Sequence, residues 1–330
     1  MGEVESSLNY KSAIKIGLSF LLLFAISFFF YREFQKNWLY IQSFDFNINV
    51  IYIFMAFLAV AITYIINTYC WFYTVNSMSK CKIGFITSFA VFNTCYITKY
   101  IPGKVWSLAI QMYCLKKYGL SKSLVLYINI ITVYISIVAS LTLGISYLLF
   151  TSSVIPLSVT VPSLIILIIS QIIFIKYGSI VFNRLLIYLN KLLKLDIQYF
   201  EAPLKLFIHL HIVYLFASLT FGMAAYLLCS GIGFQVPDGN KFSVMSSMLI
   251  SEVVGVLAII VPSGLGIREG AMYLQLKSHL PDTISLILPL ASRLVNMLVD
   301  ISFGTIGLIL FNTLRKNSDL DKNGIVDYSP

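Results

Sequence analysis

Two short stretches carry charge where the surrounding sequence carries almost none. The first is Lys99-Tyr100-Ile101-Pro102-Gly103-Lys104-Val105-Trp106; the second, about 160 positions later, is Pro262-Ser263-Gly264-Leu265-Gly266-Ile267-Arg268-Glu269. Proline removes a backbone donor and glycine lets the chain turn, so each stretch interrupts a helix. Backbone N–H and C=O groups freed in an apolar medium are costly unless protein buries them or they line a wet cavity. Cations beside such groups suit an anionic head group, and the chemistry expected is binding rather than bond making. Glu252 joins the set because the apolar run Met248–Leu257 holds no other charge. Arg293, Asn296 and Asp300 join it because i, i+3 and i+7 share one helical face.

The medium around these residues follows from composition. A mean hydropathy of +0.87 with 11% charged residues lies outside the range of soluble domains. The fold class expected is an all-α polytopic membrane protein. A net charge of +9 would suggest nucleic acid in a soluble chain, but here the basic residues sit in short loops and orient helices, so nucleic acid is not the expected partner. The five cysteines (Cys70, Cys81, Cys95, Cys114, Cys229) form no CxxC pair and have no histidine at zinc spacing, so neither a metal nor another cofactor is expected. Asp319, Asp321 and Asn323 with Gly324 faintly resemble a calcium loop that lacks its twelfth-position glutamate.

The positioning elements come from hydropathy. Full spans are expected at about 14–31, 50–73, 124–150, 155–175, 206–229 and 284–314. Residues 1–31 lack a small-x-small cleavage site, so the first span is expected to be retained. The sequence Tyr69-Cys70-Trp71-Phe72-Tyr73 suggests an interfacial aromatic belt, and His209 and His211 are expected at a membrane boundary. The shorter arm of the first break covers only ~18 Å and cannot cross alone, and the two arms of the second suit a hairpin better than one helix of roughly 57 Å, so re-entrant hairpins are expected at 83–115 and 242–279. An amphipathic insert is expected at 180–198 and a frayed polar tail at 317–330.

In this order the chain reads span, span, hairpin, span twice, with opposite orientation: about six full spans and two hairpins in one membrane domain. Pseudo-repeats fall at 1–150 and 154–316. Inverted repeats with interrupted helices at matching positions point to a transporter-type site near the bilayer midplane. Lys99, Lys104, Glu252, Arg268, Glu269 and Arg293 would together cost roughly 15 to 20 kcal/mol if exposed to lipid, so they must be paired, buried against backbone or hydrated. Counted together they leave a net positive pocket. Blander roles exist: lysines snorkelling to the interface, an Arg268–Glu269 pair at a hairpin tip, an Arg293–Asp300 packing pair.

The segments Asn93–Trp106 and Glu252–Glu269 resemble the two signatures of the lysylphosphatidylglycerol synthase transmembrane-region family, also called flippase-like. The matching positions are Lys99, Tyr100, Pro102, Gly103, Lys104 and Trp106, then Glu252, Gly255, Pro262, Gly264, Gly266, Arg268 and Glu269, with Arg293 a looser match; Ser263 stands where a second glycine is common. The resemblance implies re-entrant helices at both motifs. Lipid-modifying members carry a soluble aminoacyl-transferase domain after the membrane part, and these 330 residues hold none, so no enzymatic activity is expected. The implied role is movement of an anionic or modified phospholipid, or a polyprenyl-phosphate-linked glycan, between leaflets of a prokaryotic inner membrane, with both termini cytosolic. The alternative is a membrane component or enzyme of lipid-linked sugar, envelope polysaccharide or aminoacyl-phospholipid synthesis. Expected partners are a membrane lipid or lipid-linked saccharide and envelope-biosynthesis enzymes; a homo-oligomer is compatible with the sequence.

Overall fold

A computed structural model describes residues 46–80, 82–98, 106–116, 118–151, 157–193, 200–258 and 261–323, with scattered positions from 28 to 44. Its regular elements are all helical. In chain order they are α1 (Val50–Met78), α2 (Phe85–Thr98), α3 (Trp106–Lys116), α4 (Lys122–Thr151), α5 (Leu157–Leu193), α6 (Leu204–Gly231), α7 (Lys241–Leu257), α8 (Ile267–Leu276) and α9 (Asp282–Asn323). Short 3-10 turns at Asp238–Asn240 and Pro262–Gly264 lead into α7 and α8.

Among the described residues, four helices are long and apolar enough to cross a membrane: Val50–Met78, Lys122–Phe150, Leu204–Gly231 and Asp282–Leu314. At about 1.5 Å per residue their 28 to 33 residues exceed the ~30 Å hydrocarbon core. The protein is a multi-pass membrane protein. The expected span at 155–175 and the start of the expected insert at 180–198 are joined in one bent helix, α5. Thr160–Phe174 and Lys176–Arg184 meet at a 48° bend within α5. No proline interrupts the sequence there, so the helix bends without stopping. The last helix, α9, runs on to Asn323, past the expected start of the tail, and no proline or glycine stands between Leu308 and Asn323 to end it. The expected first span falls almost wholly outside the described residues.

Helix ends follow local chemistry. The Asn49 side chain accepts from the Ile51 N–H at 3.1 Å, and Ser121 Oγ accepts from the Leu124 N–H at 3.2 Å, so each caps the helix that follows it.

The chain forms two compact units, and five long helices lend residues to both. One unit takes its described residues from 1–60, 139–167 and 218–296. Helices in lipid gain little from the hydrophobic effect and associate through close packing and hydrogen bonds. Accordingly, a Cβ on Gly222 would lie 3.3 Å from the Met245 carbonyl, Ser246 donates to the Gly144 carbonyl at 2.8 Å, and Ser140 bonds Ser218 at 3.0 Å.

The other unit takes 61–138, 168–217 and 297–330. Trp71, Val75, Ile83, Val91, Leu115, Leu124 and Ile128 form its core. Trp71 is 1% exposed and lies 5.4 Å from Phe92, so it packs the core and does not belong to an interfacial belt. His211 is also buried, 5.4 Å from Phe174, while His209 Nε2 lies 3.1 Å from the Tyr69 hydroxyl. Phe182, fully buried between Tyr127 and Tyr134, anchors α5.

Candidate site at the second helix break

Helices α7 and α8 form an antiparallel hairpin. Gly255 meets Arg268 near the turn, while Ser246 accepts from Gln275 at 3.1 Å nearer the open end. At 17 and 10 residues neither arm is one of the candidate spans. The turn is made by backbone that ordinary side chains resist. Ser263 has φ 54° and ψ 18°, and Gly264 follows at φ 63°. A Cβ at Gly264 would stand 2.7 Å from the Gly255 carbonyl oxygen, so two of the three motif glycines here exist to bring two backbones together. The third, Gly266, precedes α8. Its N–H donates to Glu269 Oε2 at 2.5 Å, a carboxylate in the first turn reaching back to cap its own helix.

Four charges converge on this turn. Arg268 Nη1 pairs with Glu252 Oε2 across the hairpin. Arg293, on α9, brings Nε to 3.6 Å from Glu269 Oε1, a charge contact longer than a hydrogen bond. Its Nη1 donates to the Ser263 carbonyl at 3.4 Å and Nη2 to Ser263 Oγ at 3.2 Å. Neighbours in sequence therefore take different partners: Arg268 does not pair with Glu269, and Glu252 has a counter-ion 16 positions away. The side chains of Arg293 and Glu269 are 9% and 6% exposed, those of Arg268 and Glu252 12% and 36%. Arg268 also lies 5.4 Å from the Phe221 ring centre, with Nη2 4.0 Å from Met248 Sδ.

The pocket is thus neutral among the described residues, two cations facing two carboxylates. The positive excess counted from sequence rests on Lys99 and Lys104, which with Tyr100, Pro102 and Gly103 lie outside the described residues. Pro262 opens the 3-10 turn and Trp106 opens α3; their side chains also lie outside.

Asn296 and Asp300 share α9 with Arg293 but meet other groups. Asn296 Nδ2 donates to the Ser292 carbonyl at 2.7 Å, and its Oδ1 is buried without a partner among the described residues. Asp300 belongs to the other unit, where its Oδ1 accepts from the Tyr64 hydroxyl at 2.7 Å. Tyr64 stacks on Tyr96 at 4.5 Å. In that unit the described arms of the first break, α2 and α3, pack together through side chains. Cys95 Sγ contacts the Ser107 carbonyl at 3.3 Å, and Gln111 bridges Cys95 to Asn129. Asn93 donates to Thr68 at 3.0 Å.

The motifs did not reveal Ser263 as a ligand of Arg293, Phe221 beneath Arg268, or Tyr64 beside Asp300. Phe221 and Tyr64 stand in apolar spans of a chain with 25 phenylalanines and 21 tyrosines, so neither carries a sequence signal. Ser263 did carry one, as the residue replacing a common glycine at a left-handed position.

No curated protein matches the chain. The family described as lysylphosphatidylglycerol synthase TM region matches residues 12–313, the segment that holds both motif stretches and the Glu252, Arg268, Glu269 and Arg293 charges, and the chain belongs to that family of membrane proteins of lipid or phospholipid metabolism.

Proposed function

We propose that the protein moves an anionic or modified phospholipid, or a polyprenyl-phosphate-linked glycan, from one leaflet to the other, binding the phosphate at the second helix break. The supporting observation is the pair of arginines drawn to one interrupted hairpin in an apolar chain, each held by a carboxylate. Charges in membrane segments are costly and as a rule mark a substrate or ion path. Interrupted helices supply loosened backbone beside them. On this reading α7–α8 is a re-entrant hairpin, and the break at Lys99–Trp106 is its counterpart in an inverted repeat. The chain carries out no bond chemistry and resides in a prokaryotic inner membrane.

The test is reconstitution in liposomes carrying labelled anionic phospholipids and isoprenoid phosphates. Leaflet equilibration faster than in protein-free liposomes is expected for at least one of them, and slower in an Arg268→Gln variant. Equilibration no faster than the protein-free control across the panel would refute transport.

A further inference from the structure

The two ion pairs at the break are built differently. Arg293 uses all three guanidinium nitrogens on one side: Nε faces Glu269, while Nη1 and Nη2 hold Ser263. That set is buried and closes the turn on itself, since Glu269 also accepts from Gly266. Arg268 has a single carboxylate partner among the described residues, and Glu252 is the most exposed of the four charged side chains. Arg268 is also packed by neighbours other than that carboxylate. A Cβ on Gly255 would lie 3.1 Å from its Cβ and 3.6 Å from its Cγ and Cδ, Phe221 lies against the guanidinium, and Met248 Sδ approaches Nη2.

We propose that Glu252 is an exchangeable counter-ion: a bound phosphate displaces it from Arg268, while the Arg293–Glu269–Ser263 set stays closed and keeps the turn in shape. This rests on the anion-binding reading above and adds the mode of binding and the ligand class. A guanidinium that keeps its position after losing its carboxylate presents a planar fork, which matches two phosphate oxygens. At Arg268 itself the exchange replaces one negative partner with another, so the ligand that matches the guanidinium one for one is a singly charged phosphodiester, such as a glycerophospholipid head, while Glu252 carries its charge to its exposed side. A pyrophosphate would bring two or more negative charges to that one guanidinium. Glu252 then acts as a placeholder that neutralises the empty site and competes the ligand off again.

The experiment is a binding titration of the purified full-length chain in detergent. The probes are dihexanoyl phosphatidylglycerol, farnesyl pyrophosphate and, as a zwitterionic control, dihexanoyl phosphatidylcholine. Glu252→Gln is expected to bind the phosphatidylglycerol roughly tenfold tighter than the natural chain, because the internal competitor loses its charge. Arg268→Lys, which keeps charge but loses the fork, is expected to bind it several-fold more weakly; it also serves if Arg268→Gln fails to fold. Unchanged or weaker binding by Glu252→Gln overturns the exchange, and a larger gain for the pyrophosphate than for the phosphodiester overturns the ligand class. Because binding is read without transport, the two claims separate. Tighter binding by Glu252→Gln with no leaflet equilibration in liposomes removes transport and keeps the exchange. Equilibration with unaltered Glu252→Gln affinity does the reverse.

Discussion

Replacing Arg293 by alanine leaves Glu269 buried without its cation, with the Gly266 N–H still donating to Oε2, and breaking a buried ion pair from one side costs about 3 kcal/mol or more. The melting temperature of the detergent-solubilised protein should therefore fall clearly for Arg293→Ala and much less for Glu252→Gln, whose side chain is 36% exposed. Ser263 offers a finer comparison. Its left-handed backbone costs of order 1 kcal/mol, which glycine would relieve, and its hydroxyl bond to Arg293 is worth about the same. Ser263→Gly should thus be close to neutral in melting temperature, while Ser263→Ala, which keeps the strain and loses the bond, should be destabilised. Gly264→Ala should be worse than either, since its methyl group would overlap the Gly255 carbonyl. That Glu252, Arg268, Glu269 and Arg293 would need partners was legible from the cost of charge in an apolar run. How they pair was not: Glu252 meets Arg268 because the hairpin folds back, and periodicity along one helix says nothing of what a second helix brings alongside.

At the scale of elements, the second break and the long apolar helices were legible because proline, glycine and hydropathy act locally, while the first break lies outside the described residues. The joined α5 and the extended α9 were not, because a polar or amphipathic run without a breaker continues a helix as readily as it ends one. The hairpin reading of α2 and α3 has a direct test that avoids Cys114, which is buried. Single cysteines replacing the exposed Lys80 and Lys122, on either side of the hairpin, should react with an impermeant thiol reagent from the same side of an oriented membrane. Labelling from opposite sides would make α2 and α3 a crossing. Ahead of α7, Lys241 Nζ lies 2.6 Å from Asp238, a surface pair whose hydrogen bond holds the Asp238 carboxyl below 3.8 and Lys241 above 10.5. The stabilisation is present above the unfolded aspartate pKa, fades as pH falls through the lowered folded value, and at the basic end is lost as pH rises through the raised lysine value. Both groups are solvated, so Asp238→Asn should barely change thermal stability at neutral pH, and that small change should vanish in high salt.

For the whole molecule, each compact unit contains the two helices that flank one of the motif stretches, α7 and α8 in one and α2 and α3 in the other. Membership of the lysylphosphatidylglycerol synthase TM region family was legible in two motifs that combine prolines, glycines and charges in an apolar chain. The pairing of charges that makes the second motif neutral emerged only in three dimensions. The central claim is that the α7–α8 break receives a phosphate head at Arg268. The most direct measurement uses an anionic glycerophospholipid bearing a photoreactive head group, crosslinked to the protein in liposomes, with adducts mapped by peptide mass spectrometry. The account predicts adducts concentrated between Met248 and Arg268 and depleted in Arg268→Gln. Adducts spread over the outer faces of the apolar helices, unchanged by that substitution, would contradict it.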